Sequence, residues 1–118
     1  MKKVLLAALM LFLFACGGYN YEKGRDAYDR GDYQIALQEF RPLAEEGDAS
    51  AQTKLGRMYE QGIGVPQNFV QAHKWYNLAA AQGIEHAKTY RDQLAERMTE
   101  DENKEARMMA HEWMEERR

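Results

Sequence analysis

Ala36, Phe40, Ala44, Gly47 and Ala51 recur 36 residues later as Ala72, Tyr76, Ala80, Gly83 and Ala87. A period in the mid-thirties is the signature of stacked helical hairpins, in which no unit buries its apolar face alone and each covers its neighbour. Small residues at helical spacing, with an aromatic one turn after the alanine, let two helices approach closely and interlock. The fold class that follows is all-α: a short α-solenoid of about three antiparallel helical hairpins. Such a stack presents a surface rather than catalytic machinery, so the repeat points to a binding module.

Periodicity and punctuation divide the chain further. A first helix reads Tyr21 to Arg30, with Gly24, Ala27 and Tyr28 on one face and Gly31 as its terminator. A second runs from near Asp32 to Glu46 with Pro42 inside it, where the missing N–H costs a hydrogen bond and invites a kink. Gly47-Asp48 is a stop followed by an N-cap. The third helix places Ala51, Leu55, Met58 and Tyr59 inward and Gln52, Arg57 and Glu60 away from them. A glycine-rich loop follows from Gln61 to Gln67. Asn68 and Gln71 form a capping-box pattern for a fourth helix carrying Phe69, Ala72, Trp75, Tyr76, Ala79 and Ala80 before Gly83. A fifth helix is expected from about Glu85 to Arg97, and Thr99 with Glu102 opens a last one from Glu100 to about Glu116.

The motif Leu55-Gly56-x-x-Tyr59, followed by Ala72 and Tyr76, resembles the tetratricopeptide signature. The longer loop between the paired helices, with Gly62, Gly64 and Val65, is similar to that of the Sel-one-like repeat family. Ala51, Leu55, Gly56, Tyr59, Gly62, Gly64, Ala72, Trp75, Tyr76, Ala80 and Gly83 carry the likeness. Tyr28 to Ala51 looks like a degenerate copy, and the tail through Ala106, Ala110 and Trp113 like the terminal helix of short bacterial members. The matched positions are structural in that family: Gly56 is small where a helix crosses, Gly62 and Gly64 permit the turn, and Trp75 and Tyr76 fill the space between hairpins. The resemblance implies protein–protein interaction or adaptor work.

The amino terminus has a different character. Met1-Lys2-Lys3 precedes an uninterrupted apolar run from Val4 to Ala15. That run is shorter than the about 20 residues a spanning helix needs, and it suits the apolar core of a secretory signal. It ends at Ala15-Cys16, and Cys16 is the one cysteine of the chain. The arrangement resembles a bacterial lipoprotein signal, in which such a cysteine is lipidated, as by palmitate, and becomes the new amino terminus. The other reading is an ordinary cleaved signal beside an incidental cysteine. Gly17, where a retention signal would show Asp, implies sorting to the outer membrane with the domain facing the periplasm. The expected organisation is a signal over 1–16, a tether over 17–20, repeats over 21–98 and a capping helix over 99–118.

The remaining chemistry is sparse. A net charge of −3 without a basic stripe gives nucleic-acid binding little support. His73, His86 and His111 are too far apart for a local metal motif and are read as surface histidines. Acidic pairs such as Glu45-Glu46 read as solvated faces, no catalytic motif is present, and no cofactor is implied. The methionines Met98, Met108, Met109 and Met114 either plug the open end of the stack or offer an adaptable partner surface. First helices of successive hairpins line the concave side, so the partner-binding candidates are Arg25, Asp29, Gln52, Arg57 and Glu60. The function expected is an envelope-anchored module that holds a protein or peptide partner. The alternative is a structural cell-wall module that binds peptidoglycan or an assembly complex, with Tyr19 and Tyr21 as the aromatics near the tether.

Overall fold

Six α-helices and no strand form among residues 18–118, the part of the chain that the computed structural model describes. They are α1 (Tyr21–Arg30), α2 (Tyr33–Glu45), α3 (Ala49–Gln61), α4 (Phe69–Ala81), α5 (Glu85–Ala95) and α6 (Glu100–Glu116). The segment expected to be a signal, with Cys16, lies outside the described residues.

Each boundary has a local cause. The Asn20 side chain accepts from the Glu22 and Lys23 N–H groups at the head of α1, and Asp48 accepts from Ala51 N at 2.8 Å at the head of α3. Asn68 accepts from Gln71 N at 3.0 Å, but Gln71 returns no bond, so the expected capping box is only half made. The box at α6 is complete: Thr99 Oγ1 accepts from Glu102 N at 3.1 Å, and Thr99 N donates to the Glu102 carboxylate at 2.9 Å. Pro42 stays within the last turn of α2, where its carbonyl still accepts from Glu46 N at 2.9 Å. α5 ends at Ala95, short of the expected Arg97. Tight turns from Arg97 N to Leu94 O and Met98 N to Ala95 O then bring Met98 back into the core.

Close approach at glycine sets the pairing within hairpins. A Cβ on Gly56 would lie 2.6 Å from the Tyr76 ring, so α3 and α4 can meet here only through glycine. Gly24 does the same for α1 and α2, where a Cβ would come within 2.8 Å of Phe40. The two contacts are one device used twice, since Phe40 and Tyr76 are repeat equivalents. The loop after α3 carries Gly62 at φ 67° and Gly64 at φ 73°, both left-handed and open to glycine without strain. It reaches back to the first hairpin: Gln34 Nε2 donates to Gly64 O at 3.2 Å, and Val65 packs against the core.

The third pair departs from the pattern. α5 and α6 both pack on α4 and scarcely on each other. Ala106 and Ala110 are fully buried and let α6 lie close to α4, while Trp113 meets Trp75 edge to face at 6.2 Å. The last hairpin is therefore splayed, with a cleft between its helices and α4 at the base. Of the methionines expected to plug this end, Met98 is buried and Met109 half-buried, whereas Met108 and Met114 are exposed. α4 contributes to two apolar clusters, Trp75 and Leu78 to one and Ala72 and Tyr76 to the other.

Candidate functional site: a groove along the first helices

α1, α3 and α5, the first helices of the three pairs, line a groove of about 360 Å³. Tyr21 and Tyr28 come from α1, Ser50, Thr53, Lys54 and Arg57 from α3, and His86 and Tyr90 from α5. On α3 these positions are i, i+3, i+4 and i+7, one stripe of a helix whose opposite side holds Ala51, Leu55 and Met58 in the core.

Cations and aromatic rings alternate along the groove. Lys54 Nζ lies 5.0 Å from the centre of the Tyr28 ring, and the Arg57 guanidinium lies 4.7 Å from the centre of Tyr90. Neither makes an ion pair within the described residues; the rings hold them in place. His86 packs edge-on to Tyr90 at 5.9 Å. Burial, reinforced by Asp48, pushes the Tyr21 hydroxyl above its ordinary range, so it stays a neutral donor and acceptor. Thr53 spends its hydroxyl proton on Ala49 O at 2.9 Å. The result is a polar, ring-walled trough with two uncompensated positive charges, suited to an extended segment that carries acidic groups.

Of the candidates read from the sequence, Arg57 lines this groove. Gln52 does not: it is fully buried, donates to Ala44 O at 3.1 Å and accepts from Gln82 at 3.0 Å, clamping the turn after α2 to the end of α4. Its expected partner role is corrected to an internal one, because the face of α3 beside Ala51 is covered by its neighbours. Glu60 is also engaged within the fold, accepting from the Tyr76 hydroxyl at 2.6 Å and pairing with Arg97 at 3.6 Å. Burial and that bond push the Tyr76 hydroxyl well above its usual range. Arg25 and Asp29 are exposed on α1, where Arg25 pairs with Glu22 at 2.6 Å and Asp26 at 3.3 Å, and neither lines the groove. Ser50, Thr53, Lys54, His86 and Tyr90 escaped the sequence reading, although the polar stripe on α3 was a usable signal.

The signature positions have structural places. Ala51, Leu55, Gly56, Ala72, Trp75 and Tyr76 are buried. Tyr59, Gly64 and Ala80 are half-buried, and Gly62 and Gly83 are exposed at turns. His73 corrects the surface-histidine reading: it is 4% exposed, and burial, with Arg91 and Arg107 nearby, lowers its pKa to about 4. His86 and His111 are exposed. Among the described residues no three His, Cys, Asp or Glu side chains gather as a metal site would need, and no helix is long and apolar enough to cross a membrane.

Comparison with known proteins adds two findings. The Sel1 repeat model matches residues 5–48 and 49–84, more than half of the chain. Over 65 residues, or 55% of its length, the chain is 35% identical to proteins named exopolysaccharide production negative regulator from Rhizobium leguminosarum bv. viciae and Rhizobium meliloti (strain 1021). The matched stretch covers 24% of those relatives, so this chain corresponds to about a quarter of their length.

Proposed function

The chain belongs to the Sel1 repeat family, whose members are generally non-catalytic interaction modules, and from that premise we propose that it is an envelope-anchored adaptor holding an acidic peptide segment of a partner protein in the groove of α1, α3 and α5. One observation carries this reading: Lys54 and Arg57 face the groove over tyrosine rings without acidic partners among the described residues. A partner carboxylate would supply the missing charge, and the rings would cover its apolar neighbours. The anchor rests on the apolar run that ends at Cys16. A lipidated Cys16 followed by Gly17 would place the domain at the outer membrane, facing the periplasm.

The likeness to negative regulators of exopolysaccharide production favours a second, narrower reading, in which the partner belongs to the machinery that controls export of an envelope polysaccharide. Deleting the gene and measuring secreted polysaccharide separates the two: unchanged output removes the narrower reading and leaves the adaptor. For the groove itself, titration calorimetry with acidic peptides should show binding that Lys54→Ala and Arg57→Ala each weaken about tenfold or more. Undiminished affinity in the double variant would overturn the groove assignment. Cys16→Ser should abolish fatty-acid labelling and release the protein from membranes; unchanged fractionation would overturn the anchor.

A further inference from the structure

The splayed last pair leaves a cleft of about 760 Å³ between α4, α5 and α6, on a set of residues that shares none with the groove. His73 and Asn77 line it from α4, Arg91 and Asp92 from α5, and Asn103 and Arg107 from α6. Two of these hold polar atoms that the fold leaves unsatisfied. His73 is 4% exposed, and its Nδ1 finds no hydrogen-bond partner among the described residues. Asn103 spends its Nδ2 on the carbonyls of Ala95 and Thr99, at 3.0 and 3.1 Å, while its buried Oδ1 receives nothing. Unmet buried groups of this kind cost free energy that a bound ligand would recover.

The charges select the ligand. Arg91 is fixed by Asn77 Oδ1 at 2.8 Å and Asp92 at 3.0 Å, and Arg107 makes no ion pair within the described residues. Asp92 is already committed to Arg91, and Glu100 stands in the first turn of α6, where the helix terminus compensates it. The Arg107 guanidinium therefore remains to meet a carboxylate, the anion whose geometry it matches, while Arg91 stands beside it already shared with Asp92. The unfilled Oδ1 of Asn103 asks for a donor close to that carboxylate. No Phe, Tyr or Trp lines the cleft, so a sugar face would have no broad ring to stack on. We infer that the cleft binds an acidic side chain of an extended peptide, with its carboxylate on Arg107 and an adjoining backbone N–H donating to Asn103. His73, neutral at pH 7, serves as a hydrogen-bonding wall. The site does not depend on the groove being occupied.

The three histidines make the test direct, because His73 lies in the cleft, His86 in the groove and His111 on the exposed side of α6. The full-length chain is titrated at pH 7 with blocked triglutamate and blocked triglutamine peptides while the histidine ring resonances are followed. His86→Gln and His111→Gln, both at exposed positions, assign the signals. The expected result is a saturable shift of the His73 resonance with triglutamate only, weakened about tenfold by Arg107→Gln, whose exposed side chain can be exchanged without loss of the fold. A silent His73 at millimolar peptide, an equal response to triglutamine, unchanged affinity in Arg107→Gln, or movement of His86 alone would each overturn the inference.

Discussion

A methyl group at position 56 would sit 2.6 Å from a ring that is itself fully buried, so neither side of the α3–α4 contact can give way cheaply. Gly56→Ala should therefore destabilise the fold by about 1–3 kcal/mol despite its better helix propensity, seen as a lower urea midpoint. A midpoint at or above wild type would mean that the helices slide apart without loss. His73 offers a second residue-scale test. Its folded pKa of about 4 lies below the ordinary value of 6.5, so between those limits the unfolded chain holds more protons than the folded one. Stability from this group is whole above pH 6.5 and falls as the pH drops toward 4, by up to about 3 kcal/mol. Denaturation at pH 7 and pH 4.5 should show the decline, and His73→Gln should flatten it.

At the scale of the element, α6 is held at its start by a reciprocal cap and along its length by contact with α4. Thr99→Ala removes the acceptor for Glu102 N and should cost about 0.5–2 kcal/mol, with fraying of the first turn visible in amide exchange. Unaltered protection in that turn would show that packing alone holds it. Trp113 is partly rather than fully buried, edge-on to Trp75 and covered by the Arg117 guanidinium at 3.8 Å. Trp113→Ala should thus cost about 2 kcal/mol, below the about 3–5 kcal/mol of a fully enclosed ring.

At the scale of the whole molecule, α4 joins the parts. It packs on α3, α5 and α6 and belongs to both apolar clusters. Removing α6 by ending the chain after Met98 would uncover Trp75 in one cluster and Ala72 in the other, because Ala110 and Ala106 close them. That truncation should lower both the urea midpoint and the slope of the transition, as expected when a solenoid loses its terminal cover. A shortened chain with full stability would make α6 an appendage rather than part of the core.

The repeat by itself determined the helical hairpins, their boundaries to within a residue or two, and the buried identities of Ala36, Phe40, Ala72 and Tyr76, because spacing, caps and small residues act locally or between adjacent helices. The expectation that first helices share one side matches the groove that α1, α3 and α5 line, where Arg57 lies. The repeat did not place Gln52, which has the polarity of a surface residue but lies where α2's end and Gln82 close over α3. Nor did it place His73, whose burial depends on α5 and α6 arriving from far along the chain. The splaying of the last pair was likewise a tertiary decision: Ala106, Ala110 and Trp113 form a stripe that could have faced α5 as readily as α4, and only the fit of small residues against α4 and of Trp113 against Trp75 chose between them.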